Sequence, residues 1–232
     1  MSPKGILLMT ASNTAAAPLS RGLSLAEFAL GTFIVIGHNV FHIVPNEVPI
    51  LFVLGLVSVR LREGGWAALG LQRPSSWTIT ILFAVAAAAT RILLGTFVID
   101  PLTERYLPHQ ALPAGAGQIT HNLGAALVGL LIVWTFAAFG EEIGYRGYLT
   151  KRGADIGGGS LWAWWTATLV VSVLFGFGHY YKGSAGILDS GVAGLILGAT
   201  YLLSKRNLWT TILAHGLIDT VAVAAVYLGL NN

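Results

Sequence analysis

The chain has 232 residues, of which 55% are hydrophobic and 10% are charged, with a mean hydropathy of +0.72 and a formal net charge of +3. A soluble domain of this length has too little interior for so much apolar surface, whereas lipid solvates it, so the composition predicts a membrane protein. Cysteine is absent, which excludes disulfides and thiolate metal sites.

The chain begins with a polar stretch and continues as a series of apolar runs. Residues 1–22 contain Lys4 and Arg21 but no acid, and they predict a cytosolic N-terminal tail. Residues 23–119 predict the N-terminal membrane helices, and residues 120–230 predict a C-terminal membrane core, which contains the charged motifs described below. The predicted spans are Leu23–Val44, Val48–Leu61, Ile79–Ile99, His121–Arg152, Leu161–Tyr180, Ile187–Leu203 and Leu208–Leu230.

The expected fold class is therefore an all-α, polytopic transmembrane bundle of about seven helices, with this core in the last four. The stretch Asp100–Thr120 carries three prolines and two glycines, so it predicts an external loop.

The positive residues predict the orientation of the bundle in the membrane. One side would carry Lys4, Arg21, Arg60, Arg62, Arg73, Lys151, Arg152, Lys205 and Arg206. The other side would carry only Arg105 and Lys182. By the positive-inside bias, we expect an integral membrane protein whose N-terminus is cytosolic and whose C-terminus is outside. The membrane is expected to be that of a bacterial cell.

The most informative charges follow directly on the uncharged run Leu123–Phe139. An ionisable residue inside a span is costly, so Glu141, Glu142 and Arg146 form a functional-site hypothesis. On a helix, Glu142 and Arg146 stand four residues apart on one face and are expected to pair. Glu141 lies about 100° round the helix and lacks that partner. One carboxylate would then be structural, and the other would be free for chemistry.

Further ionisable residues interrupt other spans. His179 ends the fifth span, while His215 and Asp219 share one face of the seventh by their spacing of four. His38 and His42 have the same spacing in the first span and are weaker candidates as ligands of a metal or haem. Lone polar residues of this kind also serve as hydrogen-bonding contacts between helices.

Arg91 interrupts the third span. It is expected to be structural, either reaching the membrane surface or pairing with Glu27 or Asp100.

Glutamate and histidines from three helices support hydrolysis in two ways. In the first, Glu141 and His179 take a proton from water, and His215 with residue 219 steadies the oxyanion. In the second, the same glutamate and histidines hold a zinc ion that lowers the pKa of bound water. The residue types leave both open.

Three motifs occur in a fixed order: Glu141-Glu142-x-x-x-Arg146, Phe175-x-x-x-His179 and His215-x-x-x-Asp219. In order and helical setting they resemble the motifs of the CAAX-protease and bacteriocin-processing family, the type II CAAX endopeptidases or Abi intramembrane proteases. The similarity covers residues 120–225. It implies Glu141 as the base on water with His179 assisting, His215 and residue 219 as the oxyanion site, and Glu142 with Arg146 as support.

Asp219 departs from this family, whose third motif commonly ends in Asn. An ionised Asp cannot donate to an oxyanion, so Asp219 must be protonated, orient His215 or bind a metal. The departure slightly raises the weight of the metal alternative, in which Glu141, His179 and His215 would hold Zn²⁺, while the glutamate mechanism remains the preferred interpretation. No cofactor is otherwise implied.

The predicted function is intramembrane endopeptidase, either of the CAAX type or one that processes bacteriocins or confers self-immunity. A non-catalytic membrane scaffold or immunity protein of the same fold is the first alternative. A small transporter with a proton relay is the second, and it would show inverted repeats or broken helices. The expected partners are membrane lipid and a peptide or protein substrate, with no nucleic acid and no prediction of the oligomeric state.

Overall fold

The computed structural model of the protein describes residues 18–107 and 116–230. Within those ranges the chain is helical and contains no strand, which confirms the predicted all-α bundle. The helices are α1 (Pro18–Asn39), α2 (Glu47–Arg62), α3 (Trp77–Tyr106), α4 (Ala116–Ile119), α5 (Leu123–Ile156), α6 (Leu161–Phe177), α7 (Gly183–Leu203) and α8 (Leu208–Tyr227). Residues 1–17 of the predicted tail, residues 108–115 of the predicted loop, and Asn232 lie outside the described residues.

Polar side chains fix where most of the helices begin. Each lies directly before a helix and accepts a hydrogen bond from a backbone N–H of the first turn, which satisfies a donor that the helix itself leaves unpaired. These residues are Asn46, Ser76, Asn122, Ser160 and Asn207.

Four of the described helices are long and apolar enough to cross a membrane: α3, α5, α7 with the turn before it, and α8. In the most apolar 18-residue stretch of each of these helices, only 17% to 44% of the residues are buried inside the protein. So much exposed apolar surface is stable only against lipid, and the chain is an integral membrane protein. The predicted first, second and fifth spans form helices α1, α2 and α6. None of these three is both as long and as apolar as the four spanning helices.

Two local predictions are wrong. The third span does not end at Ile99, because a π-helical segment, Gly95–Ile99, carries the helix on to Tyr106. Pro101 lies in the first α-helical turn after that segment and does not end the helix. His38 and His42 do not share a helical face, because α1 ends at Asn39 and His42 adopts a left-handed backbone conformation with φ of 56°.

The middle of α5, from Val133 to Leu149, is π-helical. The N–H of Thr150 accordingly bonds to the carbonyl of Tyr145, five residues back. Segments of this kind are rare, are usually a single turn long and often mark functional sites. All the charged residues of the first motif lie within it.

Helix α2 packs directly along this π-helical segment. A Cβ on Gly55 would lie 2.9 Å from the Cβ of Tyr148, and one on Gly144 would lie 3.0 Å from that of Leu51. Small residues at such crossings let membrane helices approach closely. The core formed there also includes Ile34 and residues of α8, so the N-terminal helices and the last helix share one interior.

An ion-pair cluster joins the middle of α1 to the ends of α2 and α5. The buried guanidinium of Arg152 lies 2.7 Å from a carboxylate oxygen of Glu27 and 2.8 Å from one each of Glu63 and Asp155. Arg62 pairs with Glu27 at 3.0 Å. These contacts place Arg62 and Arg152 at the same side of the bundle, as the charge distribution predicts.

We expect this charged side to be cytosolic, because positive residues are retained there. Single cysteines introduced as Ser75→Cys and Tyr106→Cys report the orientation cleanly, since the native chain has no cysteine. In sealed cells, a membrane-impermeant thiol reagent should label position 106 and should reach position 75 only after lysis. The reverse pattern would contradict the predicted orientation.

Candidate active site

The ion pair predicted within the first motif is present. Arg146 Nη1 donates to Glu142 Oε1 over 2.8 Å, and both side chains are buried. The guanidinium carbon of Arg146 lies 4.2 Å from the centre of the Phe175 ring, and its Nη2 reaches the carbonyl of Gly194 at 3.4 Å. Arg146 therefore connects α5 with α6 and α7. The aromatic ring of the second motif, Phe175, stabilises the buried guanidinium through this contact.

Glu142 has a second partner that the sequence did not predict. His215 Nδ1 lies 2.8 Å from the same oxygen, Glu142 Oε1, and because a carboxylate only accepts, the imidazole donates. The other ring nitrogen, His215 Nε2, lies 3.5 Å from Asp219 Oδ2. His215 is thus held between a buried carboxylate on α5 and a carboxylate one turn along its own helix.

Glu141 has a different environment from its neighbour. Its Oε2 atom is buried, and it has no hydrogen-bond partner within residues 18–107 and 116–230. Glu141 also forms no ion pair with any residue in those ranges. The two adjacent carboxylates are therefore divided as the sequence predicted, one bound to its neighbours and one open.

His179 follows directly on the C-terminal end of α6. Its Nδ1 lies 3.0 Å from the carbonyl oxygen of Phe175, which can only accept, so Nδ1 carries the hydrogen and Nε2 keeps the lone pair. The imidazole also contacts the Phe175 ring, with 4.9 Å between ring centres. These contacts fix both the tautomer and the orientation of the ring.

A cavity of about 290 Å³ brings the predicted site residues together. Glu141 from α5, His179 after α6, and His215 with Asp219 from α8 all line it. The predicted site residues therefore converge on one cavity. The cavity also has polar lining residues that were not predicted as part of the site: Arg91, Tyr181, Lys182, Asp189 and Ser190.

Arg91 pairs with Asp189 on α7, and not with Glu27 or Asp100 as expected. Glu27 is bound instead by Arg62 and Arg152 at the opposite end of the bundle. A sequence signal for the true partner existed, because Asp189 is the one acid in the span Ile187–Leu203.

The zinc alternative needs a group of donors that converge on one point. No three His, Asp or Glu side chains of the described residues are arranged to hold a metal ion. His215 Nδ1 is already taken by Glu142. His38 bonds to the carbonyl of Val44 and lies 3.3 Å from Glu47, away from the cavity lining. The donors present thus do not form a ready zinc site.

Residues 123–221 match the model of one protein family, described as type II CAAX prenyl endopeptidase Rce1-like. The matched segment contains all three motifs, from Glu141 to Asp219, and it confirms the resemblance predicted from them. No curated protein and no solved structure matches the chain.

Removing the carboxylate of Glu142 should destabilise the bundle. Glu142→Ala leaves Arg146 and His215 without their shared acceptor in a buried place, a change that typically costs roughly 3–5 kcal/mol. We expect a large fall in the thermal unfolding temperature of the purified protein in detergent.

Glu104→Ala is the matched control, because Glu104 is exposed and forms no ion pair within the described residues. It should unfold at the parent temperature. A Glu142→Ala variant as stable as this control would contradict the shared-acceptor geometry.

Proposed function

We propose, from the match of residues 123–221 to the type II CAAX prenyl endopeptidase family, that the chain is an intramembrane endopeptidase. It would hydrolyse a peptide bond in or beside the bilayer with a water molecule activated by glutamate and histidine. The observation that carries this proposal is the position of Glu141. Its carboxylate is unpartnered in the described residues and lines the same cavity as His179 and His215.

In this mechanism Glu141 is the general base. Its carboxylate accepts a proton from water, and the resulting hydroxide attacks the carbonyl carbon of the scissile peptide. His179 assists through Nε2, the nitrogen that its bond to Phe175 leaves as an acceptor. The proton is then delivered to the leaving amine, which breaks the C–N bond and regenerates the ionised carboxylate.

His215 is the proposed donor to the oxyanion. Its Nδ1 donates to Glu142, so Nε2 can donate to an oxyanion only when both ring nitrogens carry a hydrogen, a form that the carboxylates of Glu142 and Asp219 on its two sides stabilise. In that form the ring presents an Nε2–H to the cavity in a fixed direction, and such preorganised donors stabilise developing charge strongly. Asp219, at 3.5 Å from Nε2, is best interpreted as the residue that orients this imidazole. It would withdraw from Nε2 when the substrate oxyanion takes its place.

The two alternatives are less well supported by the same contacts. A Glu141 kept only for helix packing would bond to other side chains through at least one oxygen, as Glu142 does through Oε1, whereas Glu141 has no hydrogen bond or ion pair within the described residues. A transporter would be expected to have broken helices at its site. Helices α3 and α5 instead continue through their π-helical segments without interruption.

Glu141→Gln should abolish cleavage while the protein remains folded, because the amide has the same shape but cannot accept the proton of water. Loss of a general base lowers the rate by about 10²–10⁴-fold. The assay is cleavage of a quenched-fluorescence farnesylated CAAX peptide by the full chain in proteoliposomes.

Glu104→Gln serves as the control and should cleave at the parent rate. If the Glu141 variant also kept that rate, Glu141 would have no place in the mechanism.

The change Asp219→Asn separates the glutamate mechanism from a metal mechanism. With Glu141 as base, an amide at this position adds no charge near the oxyanion, so activity should be retained or raised, and a strong chelator should have no effect. With a metal that depends on Asp219, its affinity should fall about 10–100-fold. Activity that is lost and then restored by added zinc would overturn the glutamate mechanism.

A further inference from the structure

A second polar cavity, of about 260 Å³, lies at the other end of α6 from His179. It is formed where the end of α5 and the start of α6 meet two further segments, residues 67–72 and the turn between α7 and α8. Its polar lining consists of Lys151, Lys205, Arg206 and Gln72, with Trp164 and Gly70 completing the wall. Three cationic side chains and no acid border it, so we call it the basic pocket.

The positive charge of this pocket is only partly neutralised. Lys151 lies 3.5 Å from Glu63 and 3.3 Å from Asp155, so its charge is largely shared. All ten acidic residues of the chain lie within the described residues, and none of them pairs with Lys205 or Arg206. An anion that entered the pocket would meet uncompensated donors.

Hydrogen bonds hold residues 67–72 against the end of α7 and the start of α8, and so fix the shape of the pocket. The Leu208 N–H donates to the carbonyl of Gly70 over 3.1 Å, and the hydroxyl of Tyr201 donates to the carbonyl of Leu69, also over 3.1 Å. Gly70 has φ of 90°, and a side chain there would overlap the carbonyl oxygen of Arg206. The close approach of the two segments therefore requires glycine at this position.

Lys205 and Arg206, the two cations without an acidic partner, are oriented by the turn between α7 and α8 and by a contact with an aromatic ring. Lys205 and Arg206 both have left-handed backbone conformations, with φ of 59° and 60°, which non-glycine residues rarely adopt. The guanidinium carbon of Arg206 lies 4.7 Å from the centre of the Trp164 ring. This stacking fixes the plane of the guanidinium and leaves its N–H groups free for the paired hydrogen bonds that suit phosphate oxygens.

The surroundings of the basic pocket are those of a membrane surface. Leu161 and Trp162, at the start of α6, are 71% and 81% exposed, so apolar surface lies within one turn of Trp164. The pocket shares its side of the bundle with Arg152, the side predicted to be cytosolic, where anionic lipids concentrate. We infer that the basic pocket binds a phosphate anion, presented either by the headgroup of an anionic phospholipid or by free phosphate.

The test measures thermal unfolding of the purified full chain in detergent. Short-chain phosphatidylglycerol, phosphatidylcholine with the same chains, and inorganic phosphate are each titrated against it. Phosphatidylglycerol should raise the unfolding temperature with a saturable concentration dependence. The double variant Lys205→Gln/Arg206→Gln should bind it about 30-fold more weakly, since each charge near the surface contributes about fivefold.

The matched control is Arg60→Gln/Arg73→Gln, which removes two exposed charges from the same side without altering the pocket lining. It should respond as the parent does. If the double variant does not fold, Lys205→Gln alone should weaken binding about fivefold.

The probes also identify the source of the phosphate. A response to phosphatidylglycerol alone assigns the pocket to a lipid headgroup, and an equal response to inorganic phosphate assigns it to free phosphate. The inference is overturned if no probe raises the unfolding temperature, if phosphatidylcholine acts as strongly as phosphatidylglycerol, or if the pocket variants respond like the parent. The outcome is independent of whether the chain cleaves peptides.

Discussion

A single carboxylate oxygen, Glu142 Oε1, accepts hydrogen bonds from both Arg146 and His215, each over 2.8 Å. Because little water solvates charges inside a membrane bundle, Glu142, Arg146 and His215 each depend on the other two for stabilisation. Arg146 extends the connection to Phe175 on α6 and Gly194 on α7. The arrangement of the last helices, and the direction in which His215 faces the cavity, both follow from this shared acceptor. It also explains the role of two successive glutamates, because with Glu142 engaged, Glu141 is left to the cavity.

Local information in the sequence was sufficient for most of the fold and for part of the site. Apolar runs located the helices, and the starts predicted at Leu161 and Leu208 are the observed ones. The spacing of four residues predicted the pair between Glu142 and Arg146, since both lie on one helix. The order of the three motifs predicted which residues would line one cavity. These features depend on neighbours in sequence or on a shared pattern.

The features that were missed depend on contacts between distant segments. His215 and Glu142 are 73 residues apart, and Arg91 and Asp189 are 98 apart, so no spacing rule relates them. The π-helical form of Val133–Leu149 has no local signal, because the same residues also fit an ordinary helix. Pro101 and the following prolines suggested a loop, yet the helix continued past the first of them. The two partners of each ion pair lie on different helices, so only the packed fold brings them together.

The account rests most heavily on the bond between Glu142 and His215, and a double-mutant cycle measures it directly. The free energy of unfolding would be determined by SDS titration for Glu142→Gln, His215→Gln and the variant with both changes, each against the parent. Residues that share a buried hydrogen bond should show a coupling energy of about 0.5–3 kcal/mol, so the combined variant should be less destabilised than the sum of the two. Additive losses would contradict the shared acceptor and, with it, the division of roles between Glu141 and Glu142.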